Sequence, residues 1–92
     1  MTLSMIWRAE LSDAALRQLK RLPNTMEHRM ARAIDELEED PFRGDVLALR
    51  GAEWQGMFRK RVGRYRILFL PRYDTRVVAI VAILRRDERT YR

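Results

Sequence analysis

Gly63-Arg64 separates two runs of the same kind, Phe58-Arg59-Lys60-Arg61-Val62 before it and Tyr65-Arg66-Ile67-Leu68-Phe69 after it. Aromatic and β-branched residues around a two-residue break predict a β-hairpin. Glycine at the first central position suits a type II′ turn, where that residue needs a positive φ. A two-residue turn also fixes the register. Val62 faces Tyr65, Arg61 faces Arg66, Lys60 faces Ile67, Arg59 faces Leu68 and Phe58 faces Phe69. Side chains alternate between the two sides of a strand, so Phe58, Val62, Tyr65, Ile67 and Phe69 share an apolar face. Lys60 is directed to that side, whereas Arg59, Arg61 and Arg66 share the other face with Leu68. Two guanidiniums directly opposite each other destabilise a strand pair unless an anion lies between them. Few nearby acids could serve, so the arrangement predicts a site that holds something negative, and phosphate fits the bidentate geometry of arginine.

The apolar face of the hairpin needs a second layer, and the preceding residues supply one. Ser12 is a good N-cap, and Leu11, Ala15, Leu19 and Leu22 recur at helical spacing until Pro23. Asn24 followed by Glu27 resembles a capping box, and Met26, Met30, Ala33, Ile34 and Leu37 form a stripe that ends at Asp40-Pro41. Two helices joined by so short a junction form an antiparallel hairpin. Strands are expected at Met5–Arg8, Val46–Leu49, Met57–Val62, Tyr65–Leu70 and Val77–Leu84, with Pro71-Arg72-Tyr73-Asp74-Thr75 as a separator. Val77–Leu84 is apolar at nearly every position, which predicts a central strand covered on both faces. The expected class is α+β, with an N-terminal strand and a helical hairpin packed on a mainly antiparallel sheet. Ninety-two residues without repeat, low-complexity stretch or linker make one domain, residues 1–92.

Charge is divided unevenly along the chain. The formal net charge is +6, but residues 1–40 hold six Lys/Arg against eight Asp/Glu and residues 41–92 hold thirteen against five. Seventeen of the nineteen basic residues are arginine, the side chain suited to phosphate forks and base stacking. Nucleic acid is therefore the first partner to consider. There is no cysteine and a single histidine, His28, so neither a disulfide framework nor a thiolate metal site is expected, and no cofactor is implied. The start of the chain lacks the pattern of a signal peptide, and Val77–Leu84 is too short to span a bilayer. A cytoplasmic protein without a membrane partner is expected. Trp7 and Trp54 are expected in packing roles, and His28 as a solvated helix residue.

Taken in order, the strand at the start, the helical hairpin ending in Leu37-Glu38-Glu39-Asp40-Pro41, the Leu49-Arg50-Gly51 step, the run from Phe58 to Phe69 and the closing Arg86 and Tyr91 resemble the RelE/ParE toxin superfamily, and RelE-type toxins in particular. The resemblance spans nearly the whole chain. It implies a curved, mainly antiparallel sheet carrying the helical hairpin. It also implies the toxin of a type II toxin–antitoxin system, an mRNA interferase that cuts mRNA in the ribosomal A site and is neutralised by a cognate protein antitoxin in a hetero-oligomer. The catalytic positions implied are Arg59, Arg61, Arg66, Arg86 and Tyr91, and the RNA-binding set is Arg59, Arg61, Arg64, Arg66, Arg85 and Arg86. The alternative within the superfamily is a ParE-like inhibitor of DNA gyrase that performs no nuclease chemistry.

The implied reaction is attack of an RNA 2′-OH on the adjacent phosphate. It requires a base for the hydroxyl, positive charge for the developing phosphorane and an acid for the leaving 5′-oxygen. Arginines serve the second role and serve poorly as bases, since a guanidinium has a pKa above about 12. The best-known RelE pattern has lysines where this chain has Arg59 and Arg61, and Lys60 is directed to the other face. The residues leave the general base open, with Tyr91 a candidate for proton transfer or for stacking on a base.

Overall fold

The computed structural model describes residues 6–86. The elements run β1 (Arg8–Leu11), α1 (Asp13–Lys20), α2 (Asn24–Glu39), β2 (Val46–Ala48), a 3-10 turn at Ala52–Trp54, β3 (Phe58–Val62), β4 (Tyr65–Arg72) and β5 (Val77–Arg85). The strands form one five-stranded sheet in the order β1-β5-β4-β3-β2, with β1 parallel to β5 and the other three pairs antiparallel. Ala15 of α1 and Met30, Ala33 and Leu37 of α2 bury against Val62, Ile67, Phe69, Val78, Ile80 and Ile83 of the sheet. The fold is α+β, with both helices contributing to one core on a mainly antiparallel sheet.

A bulge in β5 explains how α1 is seated. Leu68 pairs with Ala82 and Phe69 with Ile80, which leaves Val81 without a partner on β4. An extra residue shifts the phase of a strand, so the core-facing set is Val78 and Ile80 before the bulge and Ile83 after it. The backbone groups freed there are taken up by α1. The Ser12 hydroxyl accepts the N–H of Ala15 at 3.0 Å as the helix cap and donates to the carbonyl of Val81 at 2.9 Å. The side-chain carbonyl of Gln18 accepts the N–H of Ile83 at 2.7 Å. Val81 itself is left 37% exposed, so β5 is an inner strand but is not covered along its whole length on both faces.

Several boundaries differ from those expected; β3 starts at Phe58, a residue after Met57, and β5 runs one residue past Leu84 to Arg85. The first strand lies at Arg8–Leu11, not Met5–Arg8, because Arg8 and Glu10 alternate with the half-buried Ala9 and Leu11 in parallel register with Val77–Ile80. Met5 itself lies outside the described residues. The outer edge of β1 is blunted by the end of α2: Glu38 accepts the N–H of Trp7 on its backbone carbonyl at 3.0 Å and the N–H of Ala9 on its carboxylate at 2.8 Å. There is no capping box at Asn24. Pro23 is the cap residue and its carbonyl accepts from Met26 and Glu27. Strand β4 runs on through Pro71 and Arg72, which pair with Val78 and Val77. Proline is tolerated there because β3 ends opposite Phe69, leaving that side of β4 without a ladder. Strand β2 is a residue shorter than expected, with the Leu49 N–H still donating to Met57 at 2.9 Å. Among the described residues no helix is long and apolar enough to cross a membrane.

Candidate functional site

The β3–β4 hairpin has the register read from its turn, pair for pair from Phe58↔Phe69 to Val62↔Tyr65. Gly63 has φ 59° and Arg64 has no positive φ, which matches a type II′ turn. Next to such a turn Arg61 and Arg66 form a non-hydrogen-bonded pair, the kind in which opposed side chains approach most closely. The N–H of Arg61 therefore points away from β4, and it donates to the carbonyl of Asp45 at 2.9 Å.

Asp45 corrects the expectation that few acids could serve this face. One carboxylate oxygen accepts from Arg59 Nη1 at 3.0 Å and the other lies 3.7 Å from Arg61 Nη1. Arg59 Nη1 also reaches the Asp45 carbonyl at 3.2 Å. The placement follows from β2: Val46 pairs with Lys60, so the residue before it meets Arg61. Gly44, with φ 88°, turns the chain into that position. The hydrogen bond from Arg59 holds the Asp45 carboxyl below its ordinary range, helped by the charges of Arg59 and Arg61 against a smaller opposing effect of burial.

The three arginines of the face are not equivalent. Arg66 is buried, and its Nη1 donates to the carbonyl of Tyr65 at 3.1 Å and approaches that of Gly63 at 3.5 Å, so it braces the turn. The Arg59 side chain is largely covered, and that of Arg61 is 45% exposed and the most accessible of the three. Arg64 and Arg86 are exposed at the rim, tied together by the Arg86 N–H donating to the Arg64 carbonyl at 2.6 Å. Arg85 lies on the helix side of the sheet. It pairs with Tyr65, whose side chain packs against the core, and it lines a groove of about 380 Å³ on the helix side with Met26, Arg29, Arg64 and Tyr65. Tyr91 lies outside the described residues. Lys60 faces α2 as alternation predicts, buried, with its Nζ 3.0 Å from a Glu36 carboxylate oxygen and donating to the Arg43 carbonyl at 3.3 Å. His28 is exposed on α2, and Trp7 is buried among Phe42, Tyr73 and the guanidinium of Arg76, 5.3 Å above its ring.

Two further cations, Arg29 and Arg32, line a second groove of about 450 Å³ between α2 and β3. The acidic balance of the first forty residues hid them. Their spacing on one side of α2 with Ala33 and Glu36 was the available signal.

A family model described as the ParE toxin of type II toxin–antitoxin systems, parDE, matches residues 9–90. The chain belongs to the ParE toxin family, within the RelE/ParE superfamily. A toxin-family protein of Methanocaldococcus jannaschii named RelE1 is 27% identical over 86 residues, 90% of this chain and 93% of that protein. The toxin–antitoxin complex RelBE2 from Mycobacterium tuberculosis matches this toxin with a TM-score of 0.77 at 25% identity, covering 87% of this chain and 98% of the other. The archaeal RelE–RelB complex from Pyrococcus horikoshii matches with a TM-score of 0.76 at 24% identity, covering 92% of this chain and all of the other. The fold is therefore that of the RelE toxins, and the arginine face lies on its sheet.

Proposed function

We propose that this toxin acts on RNA, as a ribosome-dependent mRNA endonuclease whose arginine face grips the scissile phosphate. The observation that carries the proposal is the opposed pair Arg61 and Arg66 beside Arg59, with two guanidiniums already converging on one oxyanion, the carboxylate of Asp45. A phosphodiester offers the same paired oxygens and single charge, and the phosphorane formed from it carries more. In the reaction the 2′-oxygen loses its proton and bonds to phosphorus, the bond from phosphorus to the 5′-oxygen breaks, and that oxygen takes up a proton. The products are a 2′,3′-cyclic phosphate and a 5′-OH. Arg61, supported by Arg59, Arg66 and Arg86, stabilises the charge that develops on the phosphorane oxygens. Arg64 and Arg86 hold the flanking backbone, and Arg85 extends the cationic rim on the helix side.

Lys60 is turned to α2, and Asp45 is too weak a base while Arg59 holds its carboxyl low. Tyr91 is the residue assigned to proton transfer or to stacking on a base. The whole chain works as one toxin domain in the cytoplasm, and a cognate antitoxin neutralises it, as the Pyrococcus and Mycobacterium relatives were solved with theirs. A second reading, inhibition of DNA gyrase without chemistry, is favoured by the ParE description of the matching family.

The test is expression of the toxin with Arg61→Ala or Arg86→Ala. Both residues are exposed, so neither change empties a buried site. Each variant is expected to lose growth inhibition while keeping its melting temperature. Full toxicity in both rules out this assignment of the site.

A further inference from the structure

The groove between α2 and β3 opens where the β2 ladder ends: β2 pairs with Phe58–Lys60, the Asp45 carbonyl takes the Arg61 N–H, and no strand pairs with β3 beyond that point on this side. Four cations line it: Arg29 and Arg32 from α2, Lys60 and Arg61 from β3. The two carboxylates that share the lining are both engaged, Glu36 with Lys60 and Asp45 with Arg59 and Arg61. Among the described residues no carboxylate comes within ion-pairing distance, 4.0 Å, of Arg29 or Arg32. Like charges a turn apart on a helix, set beside a cationic strand edge, repel unless an anion joins them.

The groove is continuous with the arginine face. Arg61 belongs to both. At the turn, Arg66 approaches the Gly63 carbonyl at 3.5 Å from one side, while from the other side Arg29 Nη1 lies only 3.1 Å from where a Cβ on Gly63 would stand. The missing side chain at Gly63 thus lets cations from the two faces meet around the hairpin tip. A protein partner would want apolar anchors, and among the described residues Ala33 and Val62 are the only apolar side chains in the lining. A phosphodiester backbone needs none.

We propose that this groove holds a second phosphodiester of the RNA strand bound at the arginine face, through Arg29, Arg32 and Arg61. The proposal rests on the RNA reading above and extends the bound length of the strand around the edge of β3.

The test uses the double variant Arg29→Ala/Arg32→Ala. Both positions are exposed, and alanine is the better helix former, so α2 is retained. Binding of a dinucleotide and of a single-stranded RNA of about ten nucleotides is measured over a salt series. The double variant is expected to bind the longer RNA roughly tenfold more weakly. Its slope of log affinity against log salt should be shallower by about 0.7 for each phosphate no longer neutralised. Dinucleotide binding should be unchanged, because a dinucleotide needs only the arginine face. Unchanged affinity and slope for the longer RNA overturn the proposal. So does loss of antitoxin affinity with RNA binding intact, which would assign the groove to a protein. The double variant Arg59→Ala/Arg61→Ala separates the two levels. If it alone loses both RNAs, the groove proposal fails and the RNA function stands; if the unaltered toxin binds neither RNA, both fall.

Discussion

Arg59 and Arg61 share the carboxylate of Asp45 at 3.0 and 3.7 Å, so a phosphate arriving on the arginine face competes with an anion already tethered there. Asp45→Asn keeps the shape and removes that competitor, and RNA affinity measured by titration is expected to rise several-fold. The same variant carries a pH signature. The Asp45 carboxyl is held below its ordinary value of 3.8, so its contribution to stability is complete above that value and is lost as the pH falls through the lower folded value. The melting-temperature gap between the unaltered protein and Asp45→Asn should therefore close as the solution is acidified from about pH 5 towards pH 2. A gap that stays constant would mean that Asp45 does not titrate against Arg59. Lys60 gives the contrasting case. Lys60→Met keeps the buried stem and leaves behind Glu36, which is exposed enough to be hydrated, so the stability cost should be about 1 kcal/mol. Toxicity should persist in Lys60→Met, and its loss would put the missing base on the helix side.

Strand β5 and helix α1 depend on each other through the bulge at Val81. Gln18→Ala leaves the Ile83 N–H without its acceptor and should lower the unfolding free energy in denaturant by about 1–3 kcal/mol, with little effect on RNA binding. An equal loss of RNA affinity would mean that the bulge also shapes the site. This element shows where sequence stops being informative. Alternation around Gly63-Arg64 gave the hairpin register and placed Arg59, Arg61 and Arg66 on one face, because a two-residue turn leaves no freedom in pairing. Val77–Leu84 offers no alternation, so the phase change at Val81 left no trace in it. Arg8–Leu11 is a strand only through its parallel partner, and Pro71 is one only because β3 stops short of it. Asp45 reaches the site by tertiary placement, through the β2 register, and helical spacing puts Arg29 and Arg32 on one side of α2 but leaves their meeting with β3 to the passage of α2 beside it.

Across the whole molecule, an acidic first portion builds most of the helical layer and a strongly basic remainder builds most of the sheet. The cationic residues nevertheless come together from both, around the tip of one hairpin. That concentration of charge is suited to attracting a polyanion. The two readings part at the target, mRNA on a ribosome for a RelE-type toxin and gyrase itself for a ParE-like inhibitor, and both names occur among the matches, ParE for the family and RelE1 for the archaeal relative. The purified toxin is added to a translation reaction, with mRNA ends mapped by primer extension and gyrase supercoiling assayed in parallel. Cuts at codon spacing that require ribosomes and vanish with Arg61→Ala are the expected result, with supercoiling unaffected. Intact mRNA together with inhibited supercoiling would contradict the mRNA reading.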